Sequence, residues 1–170
     1  MLFRSVSFLR EAENRKMAVA ETLRFLNRRL LDLFERQLTT TAMAVSLAAD
    51  GSVELFNAGG AGFFTMTREG PLHLSLSSSP LGVSPDLEIG HAAVPLDHLD
   101  SLLAGTDGVI DGPTGVDAVL DYFDEQTEVE RSLEVLGAQV WQLKAGVREP
   151  DDRTLFIVQR RFADTVRNQA

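Results

Sequence analysis

Asp107 stands where an apolar segment of the sequence stops, in an arrangement typical of an active-site strand end. Residues 102–104 are apolar, and Asp107 follows between a threonine and Gly108. A buried strand of this kind delivers one acid to the surface, and the glycine lets the backbone turn sharply or approach a ligand closely. An ordinary tight turn is the competing interpretation, because Asp-Gly is among the commonest turn dipeptides.

A second carboxylate motif lies far downstream. Asp151 and Asp152 lead through Arg153 and Thr154 into the apolar segment 155–158. Two strands that each carry an acid at one edge can place those acids together. The two motifs together therefore favour a shared carboxylate site over two unrelated turns.

Composition excludes several classes of protein. The 170 residues are 44% hydrophobic and 24% charged, which suits one globular domain that buries about 70% of its unfolded surface. The sequence contains no cysteine, which excludes a disulfide framework and a thiolate metal site. Its three histidines are scattered, which disfavours a histidine-rich zinc site. No apolar run approaches the roughly 18 residues of a membrane span, and no signal peptide is evident. We therefore expect a soluble cytoplasmic protein without membrane insertion.

The charge is acidic and unevenly distributed. The net charge is −9, which argues against a nucleic-acid partner. Ten acids and no lysine or arginine occur between Asp97 and Glu130. This stretch is either a solvated face or a cation-attracting rim of a cleft, and the sequence leaves both interpretations open.

The hydrophobic pattern predicts one α+β domain over residues 1–170, with mostly antiparallel strands. It divides the chain into a helical part (1–37), a β-rich part (42–106), a second helical part (115–144) and a final strand (155–158). Within the β-rich part the predicted strands are 42–47, 53–56, 63–66, 72–76, 92–96 and 102–106. Asp50 and Gly51 predict a hairpin turn between the first two.

The first helical part is predicted to break near residues 13–16, and its second piece is amphipathic. An apolar stripe recurs there at spacings of four and three: Val19, Leu23, Leu26, Leu30 and Leu33. Such a stripe usually covers a sheet of its own domain, and we predict that packing here. The alternative is a short helix pair across a dimer.

A series of short motifs runs along the chain in a fixed order. They are Leu26-Asn27, Thr41-Ala42, Asp50-Gly51, Asn57-Ala58-Gly59, Pro80-Leu81-Gly82, Thr106-Asp107-Gly108-Val109 and Asp151-Asp152-Arg153-Thr154-Leu155. In order and spacing they resemble the bacterial SpoIIE/RsbU branch of the PPM (type 2C) metal-dependent protein serine/threonine phosphatases. The resemblance covers the later two thirds or so of the family domain. It implies two antiparallel sheets in a β-sandwich flanked by helices.

The same resemblance implies a site for two manganese or magnesium ions at one edge of the sandwich. Asp107 matches the aspartate of the family's Thr-Asp-Gly motif, and Asp151 matches that of its Asp-Asp-x-Thr motif, with Asp152 in support. The expected metal site is thus Asp107, Gly108, Asp151 and Asp152, and Asp107 and Asp151 are the expected catalytic residues. Hard oxygen ligands suit these ions, which lower the pKa of a bound water so that it can attack phosphorus. The implied substrate is a phosphorylated regulatory protein of the anti-sigma factor antagonist type.

The chain also departs from the family pattern. Gly60 stands where the family's Asn-Ala-Gly-His motif has histidine, and the upstream Gly-Asp and Gly-His/Lys-Gly motifs have no counterpart. We therefore expect a fold incomplete at its N-terminal side, an incomplete metal site, an inactive chain and a homodimer formed through a bare sheet edge. Two alternatives stay open: a non-catalytic pseudophosphatase or interaction module, and an unrelated soluble domain with two chance acidic turns.

Overall fold

The structure, a computed structural model of the chain, describes residues 9–35, 37–48, 52–67, 70–95, 101–106, 110, 117, 119–120 and 154–159. These residues contain helical turns at 9–14, one longer helix, further helical residues at 117 and 119–120, and seven strands. The longer helix is α1 (Val19–Phe34), and the strands are β1 (Ala42–Leu47), β2 (Ser52–Ala58), β3 (Phe63–Thr67), β4 (Gly70–Leu74), β5 (Gly90–Pro95), β6 (Ser101–Gly105) and β7 (Leu155–Gln159). All seven predicted strands occur, with each end displaced by at most two residues. Of the second helical part predicted at 115–144, the structure describes only residues 117, 119 and 120, which are helical.

The strands form two antiparallel sheets, which confirms the predicted α+β fold. One sheet has the order β1-β2-β5, and the other has the order β4-β3-β6-β7. The β1–β2 pairing runs in register from Ala42 opposite Ala58 to Leu47 opposite Val53. It confirms the predicted hairpin, although Asp50 and Gly51 lie outside the described residues.

Apolar side chains from both sheets meet in the interior. The buried members of this cluster are Val53, Leu55, Phe63, Leu102 and Ala104. Val53 and Leu55 share one face of β2 because side chains alternate along a strand. A second buried cluster, Phe64, Leu103, Ile110 and Val119, covers the opposite face of the four-stranded sheet. All five residues of β6 are consequently buried, so the strand that leads to Asp107 is fixed on both faces.

Helix α1 packs against the three-stranded sheet, as predicted from its apolar stripe. Leu30 contacts the cluster that contains Ala58 and Leu81, and Leu26 and Phe34 pack at its margin. The prediction for Leu33 is wrong, because its side chain is 48% exposed and Phe34 packs in its place. Leu33 lies about 80° around the helix from Leu23, at the flank of the stripe, which is why the sheet does not reach it.

A second set of contacts covers the other side of α1. Phe25 is buried, with the guanidinium groups of Arg15 and Arg29 at 5.5 and 5.1 Å from its ring centre. Glu11, in the helical turns at 9–14, pairs with both arginines. The predicted break is confirmed at Lys16, whose φ of 53° is incompatible with a continuous helix. Among the described helices, none has the length and apolar character needed to cross a membrane.

Candidate functional site

All four residues predicted for the metal site, Asp107, Gly108, Asp151 and Asp152, lie outside the described residues. The structure therefore shows the framework on either side of them. Within the described part of the chain, no three His, Asp or Glu residues form a group that could hold a metal ion.

The two strands that carry the acidic motifs are neighbours in one sheet. β6 pairs antiparallel with β7, and the last pair at this end joins Gly105 and Leu155. The chain leaves β6 toward Asp107 and enters β7 from the side of Asp152. The two motifs are therefore attached to the same end of two adjacent strands, although 44 residues separate Asp107 from Asp151 in the sequence.

Thr106 extends the pairing one residue beyond the strands. Its N–H donates to the Thr154 carbonyl oxygen at 3.0 Å. Its hydroxyl oxygen accepts a hydrogen bond from the Thr154 N–H, also at 3.0 Å. The residue before Asp107 is thus joined by two hydrogen bonds to the residue that follows the Asp151-Asp152-Arg153 segment.

The Thr106 carbonyl makes a third connection. It accepts a hydrogen bond from the Ile110 N–H at 2.9 Å. Ile110 is 2% exposed and packs with Phe64, Leu103 and Val119. Both residues that bound the segment 107–109 are therefore held by the folded core.

Asn27, one of the motif residues, has a structural role. It is 1% exposed, its side-chain oxygen accepts from the Gly82 N–H at 2.7 Å, and its side-chain nitrogen donates to the Ser84 carbonyl at 2.8 Å. Gly82 has a φ of 86°, and a Cβ there would overlap the Leu38 carbonyl oxygen. The Leu26-Asn27 and Pro80-Leu81-Gly82 motifs are thus two sides of one contact between α1 and a tight turn.

Asn57 organises a second turn. It is 1% exposed, and its side-chain oxygen accepts from the Gly60 N–H at 2.9 Å. Its side-chain nitrogen lies within hydrogen-bond distance of the carbonyls of Gly60, Ser75 and Leu76, at 3.1, 2.9 and 3.1 Å. The Asn57-Ala58-Gly59 motif therefore ties the β2–β3 connection to the segment after β4. The sequence signal for this role is an asparagine two residues before a pair of glycines, Gly59 and Gly60.

A largely apolar cavity of about 370 Å³ opens beside the strand ends. Met43 of β1 and Phe63 of β3 line it, together with Gly105, Thr106 and Thr154. It lies between the two sheets, and the residues that adjoin the acidic motifs in the sequence, Thr106 and Thr154, line it. Pockets of this size and character are common settings for binding sites.

Comparison with known proteins points to one family. The family model described as stage II sporulation protein E (SpoIIE) matches residues 1–161. No curated protein matches the chain in sequence. Solved structures share the fold at low identity. The RsbU and RsbW domains of Rv1364c from Mycobacterium tuberculosis match with a TM-score of 0.73 and 21% identity, over 93% of this chain and 46% of that one.

Two further structures agree with this result. A bacterial serine phosphatase matches with a TM-score of 0.64 and 18% identity, over 83% of this chain and 65% of that one. The phosphatase domain of the cell fate determinant SpoIIE from Bacillus subtilis, described as Mn presoaked, matches with a TM-score of 0.56 and 17% identity, over 91% of this chain and 72% of that one. The chain therefore spans less than two thirds of the serine phosphatase and of the Mycobacterium chain.

Proposed function

The chain belongs to the SpoIIE family, and on that basis we propose that it is a metal-dependent protein serine/threonine phosphatase domain of the SpoIIE/RsbU type. Its substrate class is phosphoserine or phosphothreonine on a regulatory protein of the anti-sigma factor antagonist type. The observation that carries the proposal is the pairing of β6 with β7, because it attaches both acidic motifs to the same end of one sheet.

The chemistry of the candidate ligands fits the proposed ions. Asp107, Asp151 and Asp152 offer carboxylate oxygens, which magnesium and manganese prefer, and the sequence contains no cysteine that would favour a softer metal. When bound, the metal pair supplies an activated water and neutralises charge on the phosphoryl oxygens. The lack of cysteine also means that this chain cannot use a thiolate nucleophile on phosphorus.

The chain's own residues hold and orient the ligands. We propose that Asp107 and Asp151 bind metal and that Asp152 supports them. Gly108 permits close approach of the backbone because it has no side chain. The hydrogen bonds between Thr106 and Thr154 support this arrangement, since they join the two strand ends next to the acids.

We further propose that this chain alone is inactive. Two or three carboxylates leave a magnesium or manganese ion with most of its waters, so binding is weak, in the millimolar range. The family's Gly-Asp strand, which brings further ligands, has no counterpart among the 170 residues. A longer chain that carries such a strand upstream is expected to regain both metal binding and turnover.

The test is hydrolysis of a phosphoserine protein, and of an aryl phosphate, with and without Mn²⁺. The 170-residue chain and an upstream-extended chain are compared, each with Asp107→Asn. Asp117→Asn is the matched control because Asp117 is an exposed aspartate of the same acidic stretch. We expect Mn²⁺-dependent turnover only in the extended chain, lost in Asp107→Asn and kept in Asp117→Asn.

Two results would contradict parts of this proposal. Robust turnover by the 170-residue chain would show that its metal site is complete. Absence of turnover in an extended chain that folds would favour the pseudophosphatase alternative, in which the domain binds a partner and does not hydrolyse phosphate.

A further inference from the structure

Thr106 departs from the ordinary antiparallel pattern in one respect. Opposed residues of a hydrogen-bonded pair normally exchange two backbone N–H to carbonyl bonds. Thr106 donates its N–H to Thr154 in the ordinary way, but the returning N–H of Thr154 binds the Thr106 hydroxyl. The hydroxyl therefore takes the place of the Thr106 carbonyl in the ladder.

The Thr106 carbonyl makes a different hydrogen bond. The Thr106 carbonyl accepts from the Ile110 N–H and closes the chain around the segment 107–109. Without the hydroxyl, the Thr154 N–H either loses its partner or draws the carbonyl back into the ladder, at the expense of the bond to Ile110. In both cases the two strand ends, or the ends of the 107–109 segment, change their relative position.

We infer that Thr106 is a positioning residue, whose hydroxyl sets the strand end before Asp107 against the strand end after Asp152. The inference rests on the metal site proposed above and adds a residue that does not itself bind metal. Hydrogen bonds that orient metal ligands commonly alter metal affinity by about tenfold or more when they are removed, and we expect an effect of that order here.

The experiment uses the 170-residue chain and three variants. Thr106→Val removes the hydroxyl and keeps the side-chain shape, whereas Thr106→Ser keeps the hydroxyl. Thr65→Val is the matched control, because the buried Thr65 hydroxyl donates to the Ser101 carbonyl at 2.9 Å in the same sheet. Thr106→Ala removes the same hydroxyl with less bulk and replaces Thr106→Val if that variant does not fold.

Two readouts are recorded by nuclear magnetic resonance. The first is hydrogen exchange of the Thr154 amide without metal, expected to accelerate in Thr106→Val and to stay protected in Thr106→Ser. The second is the Mn²⁺ concentration that half-broadens the amide signals of Thr106, Ile110 and Thr154. We expect Thr106→Val to raise this concentration by about tenfold, while Thr106→Ser and Thr65→Val leave it near the wild-type value.

The other outcomes contradict either the positioning role of Thr106 or the proposed metal site. Unchanged half-broadening in a folded Thr106→Val chain refutes the positioning role, and so does an equal shift in Thr65→Val, since that shift reports general destabilisation. If millimolar Mn²⁺ broadens none of these signals in the wild-type chain, its proposed metal site is wrong and the positioning role falls with it. Exchange at Thr154 in that case still shows whether the hydroxyl holds the strand ends together.

Discussion

We predict that replacing Asn57 by alanine destabilises the fold more than most single substitutions would. The substitution tests whether the Asn57 side chain holds the β2–β3 turn in place. The side chain is 1% exposed. Its side-chain oxygen accepts one hydrogen bond from the Gly60 N–H, and its side-chain nitrogen donates to the carbonyl oxygens of Gly60, Ser75 and Leu76. Alanine removes all of these hydrogen bonds to the backbone of the turn and of the segment after β4.

The magnitude follows from the number of groups affected. An amide nitrogen has two protons, so its three carbonyl contacts amount to two full hydrogen bonds, and the accepted bond makes three. At about 1 kcal/mol each, the free energy of unfolding should fall by about 3 kcal/mol. That is a large share of the roughly 5–15 kcal/mol that stabilises a domain.

The assay is urea unfolding followed by circular dichroism. Ser78→Ala is the control, since it removes a single hydrogen bond to the same turn, from the Gly59 N–H to the Ser78 hydroxyl at 2.9 Å. We expect the control to lose about 1 kcal/mol. If Asn57→Ala loses no more than Ser78→Ala, the Asn57 side chain does not hold the turn and our account of this motif is refuted.

Leu30→Ala should lower the free energy of unfolding by about 2–5 kcal/mol, because Leu30 is buried. Leu33→Ala, at a 48% exposed position, should change it by less than about 1 kcal/mol in the same urea assay. Equal losses in the two variants would contradict the packing of α1. Gly82→Ala should lower the melting temperature because it combines a φ of 86° with overlap on the Leu38 carbonyl, and an unchanged melting temperature would contradict that geometry. Light scattering should show a homodimer. Within the described strands β1 pairs only with β2 and carries no charged residue, so its other edge can pair with a second chain. A clean monomer at every concentration would contradict this prediction.

Local sequence patterns predicted the strands and helix α1 well because apolar periodicity and turn residues act over short distances. The two-sided burial of β6, for example, follows from its continuous apolar run. The position of Leu33 was missed because stripe membership does not say how far the covering sheet extends. The roles of Asn27 and Asn57 were missed because their partners lie up to 57 residues away in the sequence.

For the candidate site too, the sequence predicted local features but not the contacts between distant residues. The sequence identified two strands with acids at their ends, but neither their adjacency nor the hydrogen bonds of Thr106 could be derived from the pattern. The bonds between Thr106 and Thr154 join residues 48 apart. Such contacts depend on which strands pair, and that is decided by the whole core. The predicted ligands Asp107, Gly108, Asp151 and Asp152 stay predictions, since they lie outside the described residues.

The central claim is that carboxylates at the β6–β7 end make this domain a metal-dependent phosphatase. The most direct measurement is phosphate release from a phosphoserine protein by the upstream-extended chain, as a function of Mn²⁺ concentration. It is made on the unaltered extended chain and on its Asp107→Asn, Asp151→Asn and Asp117→Asn variants. We predict turnover that requires Mn²⁺, that is abolished in Asp107→Asn and Asp151→Asn, and that persists in Asp117→Asn. Turnover that survives both site substitutions would remove these aspartates from the reaction and contradict the claim.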